Sequence, residues 1–316
     1  MASSTDFAPP SVKVVPSVHL SVSGRTDIGR VRKNNEDSFV VADLTGGELL
    51  GDEPVRRFEV RERGVLLAVS DGMGGARAGE VASALVVETL TRAMASASPI
   101  EGPRDTLMEA AVQQAHRVVR EAAQTEGREG MGATLTAVYV RGHDAYIAEV
   151  GDSRAYLVRA GAITQLTHDQ SMVQFLLDKG VIGPAEAAES PFRSVILQSM
   201  GHHQVVKVAL ARLELRNRDC FVLCSDGLTR AVTDEEIRDA ILSAPRLDTA
   251  CEGLVRLANE RGGQDNITVI VAGVGGDLAP CEAGGNVAQT FEILESFDAS
   301  TSEKANAAAA AEAKKA

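Results

Sequence analysis

The sequence has few cysteines, and none stand in the paired spacings typical of metal or redox sites. Its 316 residues include Cys220, Cys224, Cys251 and Cys281, with no CxxC motif. The N-terminus also lacks a basic segment followed by an apolar run, the pattern of a secretory signal. We therefore predict a reduced, cytoplasmic protein in which Cys220 and Cys224 lie on one face of a strand as small apolar residues.

Positive charge and long apolar segments are also scarce. The chain carries 32 Lys and Arg against 44 Asp and Glu, a formal charge of -12, which disfavours binding to nucleic acid or anionic lipid. No run reaches the about 18 apolar residues that a membrane-spanning helix needs. The sequence thus predicts neither a nucleic-acid nor a membrane partner. The acidic excess instead suits clustered carboxylates that bind divalent cations.

The two ends of the chain differ in composition from the middle. Residues 1–18 are small, polar and proline-bearing, which predicts a flexible lead-in. Residues 276–316 are rich in Ala, Gly and Ser, which predicts a disordered tail in which only the cluster TFEILESF can bury apolar surface. Residues 19–275 then form a single folded domain.

The middle of the chain interleaves strand-like and helix-like runs. Apolar, β-branched runs such as GVLLAVSDG, GATLTAVYV, DAYIAEVGDSRAYLVR and DNITVIVAG are bounded by Gly, Asp or Asn, which is typical of strands. Several are joined by two to four residues, too few for a helical crossover, so they pair as an antiparallel meander. Helical periodicity follows in segments such as GEVASALVVETLTRAMASA. The pattern predicts an α+β fold with helices covering antiparallel sheet.

Four aspartates stand at the ends of the strongly apolar runs: Asp71, Asp152, Asp226 and Asp265. One Asp-Gly pair alone is typical of a turn. Four carboxylates that converge would repel one another, and bound cations resolve that repulsion most cheaply. Because the donors are all oxygen, the predicted ions are Mn2+ or Mg2+ and not zinc.

An upstream segment, DIGRVRKNNEDSFV, adds an arginine to these acids. Strand alternation would put Arg32, Asn34 and Glu36 on one face. An arginine offers a planar fork for two phosphate oxygens, and Glu36 can hold a metal ion or its water. Alone, the segment could equally be a solvated charged turn. With the aspartates, it predicts phosphoryl chemistry in which a water held between two metal ions attacks phosphorus.

The glycine-rich stretch SDGMGGARAGE invites two other interpretations. A nucleotide phosphate loop requires GxxxxGK followed by Ser or Thr, but Gly79 is followed by Glu80, whose charge would repel phosphate. A calcium loop requires oxygen side chains at alternating positions, and the stretch lacks them. We therefore interpret Asp71, and not the glycines, as the chemical centre.

Seven motifs in order resemble a known family. They are RVRKNNEDSF, LLAVSDGMGGARAGEVAS, GATLTAVYV, AEVGDSRAYLVR, QLTHDQS, FVLCSDGLTRAVTDEEI and GGQDNITVIV, spanning roughly residues 20–274. The chain resembles the metal-dependent protein serine/threonine phosphatases of type 2C, the PPM family, in their compact bacterial form. The resemblance implies a four-layer αββα sandwich, two packed antiparallel sheets flanked by helices, with residues 19–275 as the catalytic domain.

The resemblance also implies a role for each candidate site residue. Asp71 would bridge two Mn2+ or Mg2+ ions, and Glu36 would hold metal through water. Arg32 would bind the phosphate, and Asp37 would be a metal ligand, a structural partner of Arg32 or a group that supports the metal ligands. The remaining metal ligands would be the carbonyl of Gly72 together with Asp226 and Asp265, and Asp152 would hold a weaker third ion with Asp226.

The chain departs from the family pattern in three places. Met73 and Ala76 stand where relatives carry a histidine, so the leaving oxygen must be protonated by water. Gln170 replaces the histidine of a TxDHS motif, which questions how the next segment is anchored. That segment corresponds to a mobile flap, and we expect Ser171 and Arg193 within it to influence substrate choice.

The sequence predicts an enzyme that hydrolyses phosphoserine and phosphothreonine in proteins. Its expected partners are phosphorylated proteins, among them a serine/threonine kinase and that kinase's substrates, and it is expected to be monomeric. The alternative is a catalytically weak family member that serves as a regulated binding module. The presence of Arg32, Asp71, Asp226 and Asp265 favours the enzyme, because a pseudoenzyme usually lacks at least one such group.

Overall fold

The structure is a computed structural model, and it describes residues 17–74, 78–97, 103–281 and 286–299. The predicted lead-in lies outside the described residues up to position 16, and so do residues 282–285 and 300–316 of the predicted tail. Within the described part of the chain, no helix is long and apolar enough to cross a bilayer.

Two antiparallel sheets form the centre of the molecule. The first contains β1 (Val18–Asp27), β3 (Arg56–Glu59), β8 (Arg154–Arg159), β9 (Ala162–Gln165), β11 (Cys220–Cys224) and β12 (Ile267–Gly276), in the order β3-β1-β12-β11-β8-β9. The second contains β2 (Asp37–Asp43), β4 (Val65–Met73), β6 (Leu135–Arg141), β7 (Asp144–Val150), β10 (Ala209–Glu214) and β13 (Phe291–Glu295), in the order β13-β10-β7-β6-β4-β2. The short strand β5 (Gly132–Ala133) pairs with β4.

Helices cover the outer face of each sheet. On the second sheet lie α1 (Ala78–Ser96) and α2 (Arg104–Ala122), and on the first lie α5 (Asp226–Thr229), α6 (Asp234–Ser243) and α7 (Leu247–Glu260). Two short helices, α3 (Met172–Asp178) and α4 (Pro184–Glu189), belong to the predicted flap, and a 3-10 turn spans Val287–Gln289. The predicted αββα sandwich is therefore confirmed.

Strand alternation divides the apolar side chains among three layers. On β4, Val65, Leu67 and Val69 pack between the two sheets, whereas Leu66 and Ala68 pack against α1 and α2. All five are fully buried, because a strand covered on both faces must be apolar on both. This burial on both faces explains the continuous apolar run that precedes Asp71 in the sequence.

The prediction of a disordered tail from residue 276 is wrong for part of that segment. Strand β13 pairs antiparallel with β10, joining Phe291 to Leu213 and Ile293 to Ala211. A run of five residues is too short to be stable as an isolated strand, so its conformation depends on the sheet edge that it completes. Composition alone could not show that edge.

A buried ion pair holds the start of this last strand. Arg159 donates two hydrogen bonds to Asp219, at 2.7 and 2.6 Å, and both side chains are almost completely buried. The same guanidinium donates to Thr290 Oγ1 at 2.6 Å and to the Glu214 carbonyl at 3.0 Å. These four contacts use four of the five N–H donors of the guanidinium and connect β8, β10 and the segment before β13.

Replacing Asp219 with Ala should destabilise the protein by about 3–5 kcal/mol, because the Arg159 charge would remain buried without its partner. Urea denaturation followed by circular dichroism measures this change. The control is Glu252→Ala, which breaks the exposed Arg25–Glu252 pair and should cost about 0–1 kcal/mol. Equal costs for the two variants would contradict the role assigned to the buried pair.

Candidate metal centre and active site

Asp71 lies near the end of β4, between two neighbouring strands. It is paired with Asp37 of β2, and its N–H donates to Thr134 Oγ1 at 2.9 Å. The next residue must be glycine, because a Cβ on Gly72 would lie 2.1 Å from the Gly79 carbonyl oxygen and 2.6 Å from that of Glu36. Because Gly72 has no side chain, the backbone at Glu36 can lie directly beside the end of β4, next to Asp71.

Asp226 and Asp265 approach from the first sheet. Asp226 is the first residue of α5, directly after β11, and Asp265 precedes β12. The two segments touch at Gly227, where a Cβ would lie 2.0 Å from the Asn266 carbonyl oxygen. The ends of both sheets thus meet at the site, as the positions of the aspartates at strand ends predict.

The Arg32–Glu36 segment differs from its prediction, since it is a loop and the strand begins only at Asp37. Asn266 holds the loop in place: its Oδ1 accepts the Glu36 N–H at 2.8 Å, and its Nδ2 donates to the carbonyls of Ile28 and Asn34. Without a partner strand at these positions, side-chain alternation does not apply. Arg32 and Glu36 nevertheless both reach the site.

These residues line one cleft of about 640 Å3. Its walls carry the predicted phosphate ligand, Arg32, together with five of the predicted metal ligands and Met73. From the predicted set, the structure brings together Arg32, Glu36, Asp71, Gly72, Asp226 and Asp265.

Two arginines form ion pairs with the carboxylates of the cleft. Arg32 forms a two-point contact with Asp265, with both distances 2.8 Å. Arg230 contacts Asp226 and also lies 3.3 Å from Asp265. The hydrogen bond to Asp265 raises the pKa of Arg32, so its guanidinium stays charged in the cleft.

Enclosure and mutual repulsion disfavour the ionised form of the carboxylates. Burial raises the pKa of Asp71 well above its usual range, and the charges of Asp37 and Asp226 raise it further. Burial also raises the pKa of Asp226, against the opposing charge of Arg230. Asp71 and Asp226 are close enough to form a hydrogen bond to each other. A divalent cation would relieve both the repulsion and the burial cost.

The donor set fits such a cation. The Oδ1 atoms of Asp226 and Asp152 are buried and have no hydrogen-bond partner among the described residues. As the side chains stand, with the arginines on the acids, no three His, Cys, Asp or Glu side chains in the described ranges converge to hold an ion. All-oxygen donors with unpaired carboxylate atoms suit Mn2+ or Mg2+, which would compete with the arginines for the same oxygens.

Asp37 supports this centre from behind and does not line the cleft. Its Oδ2 accepts from Ser225 Oγ at 2.7 Å and from Thr268 Oγ1 at 2.6 Å, which ties β2 to the first sheet. It makes no contact with Arg32, whose partner is Asp265. Burial raises the pKa of Asp37 to about 7. Its predicted function as a metal ligand stays a prediction.

Asp152, Ser171 and Arg193 line a neighbouring cavity of about 320 Å3 that shares Asp226 and Arg230 with the main cleft. Burial raises the pKa of Asp152 well above its usual range, and the Asp226 charge adds to the effect. Ser171 Oγ caps α3 by accepting the Gln174 N–H at 3.2 Å. Arg193 donates to the Ala188 carbonyl at 2.8 Å, within the flap.

Gln170 anchors the flap despite its departure from the family pattern. Its Oε1 accepts the Gly151 N–H at 2.8 Å, and its backbone N–H donates to the Gly151 carbonyl at the same distance. Gln198 Nε2 donates to the same Oε1 at 2.7 Å. The Gln170 side chain therefore connects the start of the flap, beside Gly151, with the end of the flap at Gln198. The departure at Ala76 lies outside the described residues.

Sequence reasoning missed two residues that organise the site, Arg230 and Asn266. Arg230 stands four residues after Asp226, one helical turn away, so the spacing in SDGLTR could have indicated it. Asn266 follows Asp265 directly, but its three long-range bonds connect segments more than 200 residues apart. His202 and His203 also line the cleft.

The Asp37→Asn variant should flatten the pH dependence of stability of the metal-free protein. Below about pH 4 both folded and unfolded Asp37 are protonated; between an unfolded pKa of 3.8 and a folded pKa of about 7, only the folded form holds the proton. Stability therefore falls as pH rises through this window, and asparagine removes that contribution.

Urea unfolding in chelator at several pH values between 4 and 8 measures this slope. The exposed Asp239→Asn variant serves as the control and should keep the wild-type slope. A slope unchanged by Asp37→Asn would show that this carboxyl is ionised in the folded protein.

Comparison with known proteins gives a consistent result. The sequence pattern described as "Protein phosphatase 2C" matches residues 47–268. The chain is 40% identical over 260 residues to the serine/threonine protein phosphatase PstP of Mycobacterium tuberculosis, covering 81% of this chain and 45% of that relative. It thus spans about half the length of that relative.

Other relatives match along nearly their whole length. The chain is 35% identical to the serine/threonine phosphatase stp of Listeria welshimeri, covering 78% of this chain and 93% of that one. A solved structure of the catalytic domain of PstP in complex with two manganese ions superposes with a TM-score of 0.68 at 38% identity, covering 82% of this chain and 99% of that one. With its fold and its cluster of strand-end aspartates, the chain belongs to the protein phosphatase 2C family.

Proposed function

We propose that the chain is a Mn2+- or Mg2+-dependent phosphatase that hydrolyses phosphoserine and phosphothreonine in proteins. The observation that carries this proposal is one cleft in which Asp71, Asp226 and Asp265 converge beside Arg32. The relatives from Mycobacterium tuberculosis and Listeria welshimeri are named serine/threonine phosphatases, which supports the same substrate class.

The acidic side chains would hold the ions. Asp71 would bind two of them, Asp226, Asp265 and the Gly72 carbonyl would complete the set, and Glu36 would act through water. Asp152 with Asp226 would hold a third. When bound, the ions supply an activated water and neutralise the charge of the phosphate. No described side chain of the cleft is needed as a covalent nucleophile.

Arg32 is placed to orient the substrate phosphate. Its side chain is half exposed at the cleft, and its planar fork already makes a two-point contact with a carboxylate. A phosphate offers the same paired oxygens, so Arg32 can exchange one anion for the other without losing hydrogen bonds. Asp265, freed by that exchange, becomes available as a ligand.

The wider setting is also part of the proposal. Free, buried Cys220, Cys224 and Cys251 favour a reducing compartment, and we place the protein in the cytoplasm. We propose that it acts as a monomer on proteins phosphorylated by a serine/threonine kinase, and on that kinase. Sedimentation of the purified chain tests the monomer.

Phosphate release from a phosphothreonine peptide in Mn2+ tests the activity. Loss of a residue that only supports a metal ligand typically costs about 10- to 100-fold in metal affinity. Asp226→Asn changes a proposed ligand itself, so it should weaken metal binding by more than this, with a matching fall in kcat/KM. Arg32→Ala should raise KM by about 10- to 100-fold, because it loses charge-assisted hydrogen bonds, and Arg32→Lys should recover only part.

Two controls separate chemistry from folding. Arg25→Ala, on the exposed part of β1, should leave activity unchanged. Chelator should abolish activity but leave cooperative unfolding intact, because the three apolar clusters that hold the sheets contain none of these acids. Full activity in chelator, or in Asp226→Asn, would exclude the proposed metal-dependent mechanism. No phosphate release from the folded wild-type chain in Mn2+ would favour the regulated binding module.

A further inference from the structure

A separate cavity of about 280 Å3 opens at the edge of the sandwich where β13 completes the second sheet. A row of apolar side chains crosses three strands there, because Ile147 pairs with Ala211 and Ala211 pairs with Ile293. Residues directly opposite one another share a face of the sheet. Leu166 and Phe291 extend the apolar wall.

The row becomes progressively exposed toward the sheet edge. Ile147 is 2% exposed, Ala211 7% and Ile293 67%. Ile147 and Ala211 on this face belong to the apolar cluster between the two sheets, whereas Ile293 at the sheet edge is left exposed. The result is an apolar recess with an open mouth, a shape that binds ligands.

One polar group at the inner end of the recess lacks a partner. Glu149 lies two residues after Ile147 on the same face and is 2% exposed. Its Oε2 accepts the His168 N–H at 2.9 Å, but its Oε1 has no hydrogen-bond partner in the described part of the chain. A buried carboxyl oxygen left unpaired is costly, so it marks a place where a donor belongs.

The charges around the recess select the type of donor. Its described lining contains no Lys or Arg, and a second acid, Glu295, stands at the rim, paired with Lys207 at 2.9 Å. An anionic ligand would find no Lys or Arg in the described lining to pair with, and it would meet the Glu149 carboxyl at the inner end. Burial raises the pKa of Glu149 well above its usual range, and a cation placed against it would restore the ionised form.

We propose that this recess binds a small molecule with an apolar body and one primary ammonium group. The body lies along Ile147, Ala211 and Ile293, and the ammonium donates to Glu149 Oε1. A volume at the lower end of the about 300–1,000 Å3 typical of ligand sites limits the body to roughly one aromatic ring. The proposal does not depend on phosphatase activity.

The same glutamate lies at the root of the flap. The Glu149 carbonyl accepts from Gln170 Nε2 at 3.2 Å, and its side chain holds the His168 amide. His168 in turn pairs with Asp178 at the end of α3, at 2.7 Å. The His168 amide is therefore a direct reporter of what occupies Glu149.

The test is a titration of the 15N-labelled full chain with 2-phenylethylamine. Saturable shifts are expected at the amides of Ala211, Ile293 and His168. The neutral 2-phenylethanol has nearly the same shape and should bind at least about 10-fold more weakly, because it lacks the charge-assisted hydrogen bond. The anionic 3-phenylpropionate should produce no saturable shifts at these amides.

Two variants locate the binding. Glu149→Gln keeps the shape and an oxygen for the His168 N–H, so amine affinity should fall to that of the alcohol while alcohol affinity stays. Ile293→Ser changes an exposed side chain and should weaken both probes by a similar factor. Absence of saturable shifts in the folded wild-type chain, or amine affinity unchanged in Glu149→Gln, would overturn the proposal.

Discussion

Electrostatic repulsion among buried carboxylates is the constraint on which the rest of this structure depends. Asp71, Asp226 and Asp265 are brought together from the ends of two different sheets. Burial and neighbouring negative charge both disfavour the ionised forms of Asp71 and Asp226. The apolar layers between and outside the sheets supply the free energy that holds them in place. The repulsion therefore lowers the stability of the folded protein, and a bound cation gains affinity because it relieves that repulsion.

Close backbone packing and two arginines complete that arrangement. Gly72 lets β4 approach the Glu36 loop and α1, and Gly227 lets the start of α5 approach the segment before β12, to distances that no Cβ would permit. Arg32 and Arg230 offset the acidic charge while remaining able to move to other anions, since each contacts its carboxylates from a partly exposed position. The same contacts explain why the acids can be neutralised either by guanidinium groups or by metal ions.

Much of the fold was predictable because burial leaves a regular trace in sequence. Strands that are covered on both faces appear in the sequence as apolar runs. The aspartates at the ends of these runs indicated where the two sheets meet. Arg230 was missed because its contacts depend on the tertiary fold. The Arg32–Glu36 loop was assigned strand alternation that it lacks, since no partner strand flanks it. The edge strand Phe291–Glu295 gains its conformation only from β10, which no local pattern reveals.

The central claim is that the strand-end aspartates form a binuclear metal centre bridged by Asp71. A crystal structure of the protein grown with Mn2+ tests this claim most directly. We expect two ions within about 4 Å of each other, both bound to the Asp71 carboxylate, with Asp226 and Asp265 as further ligands. Ions bound elsewhere, or a single ion that Asp71 does not contact, would contradict it.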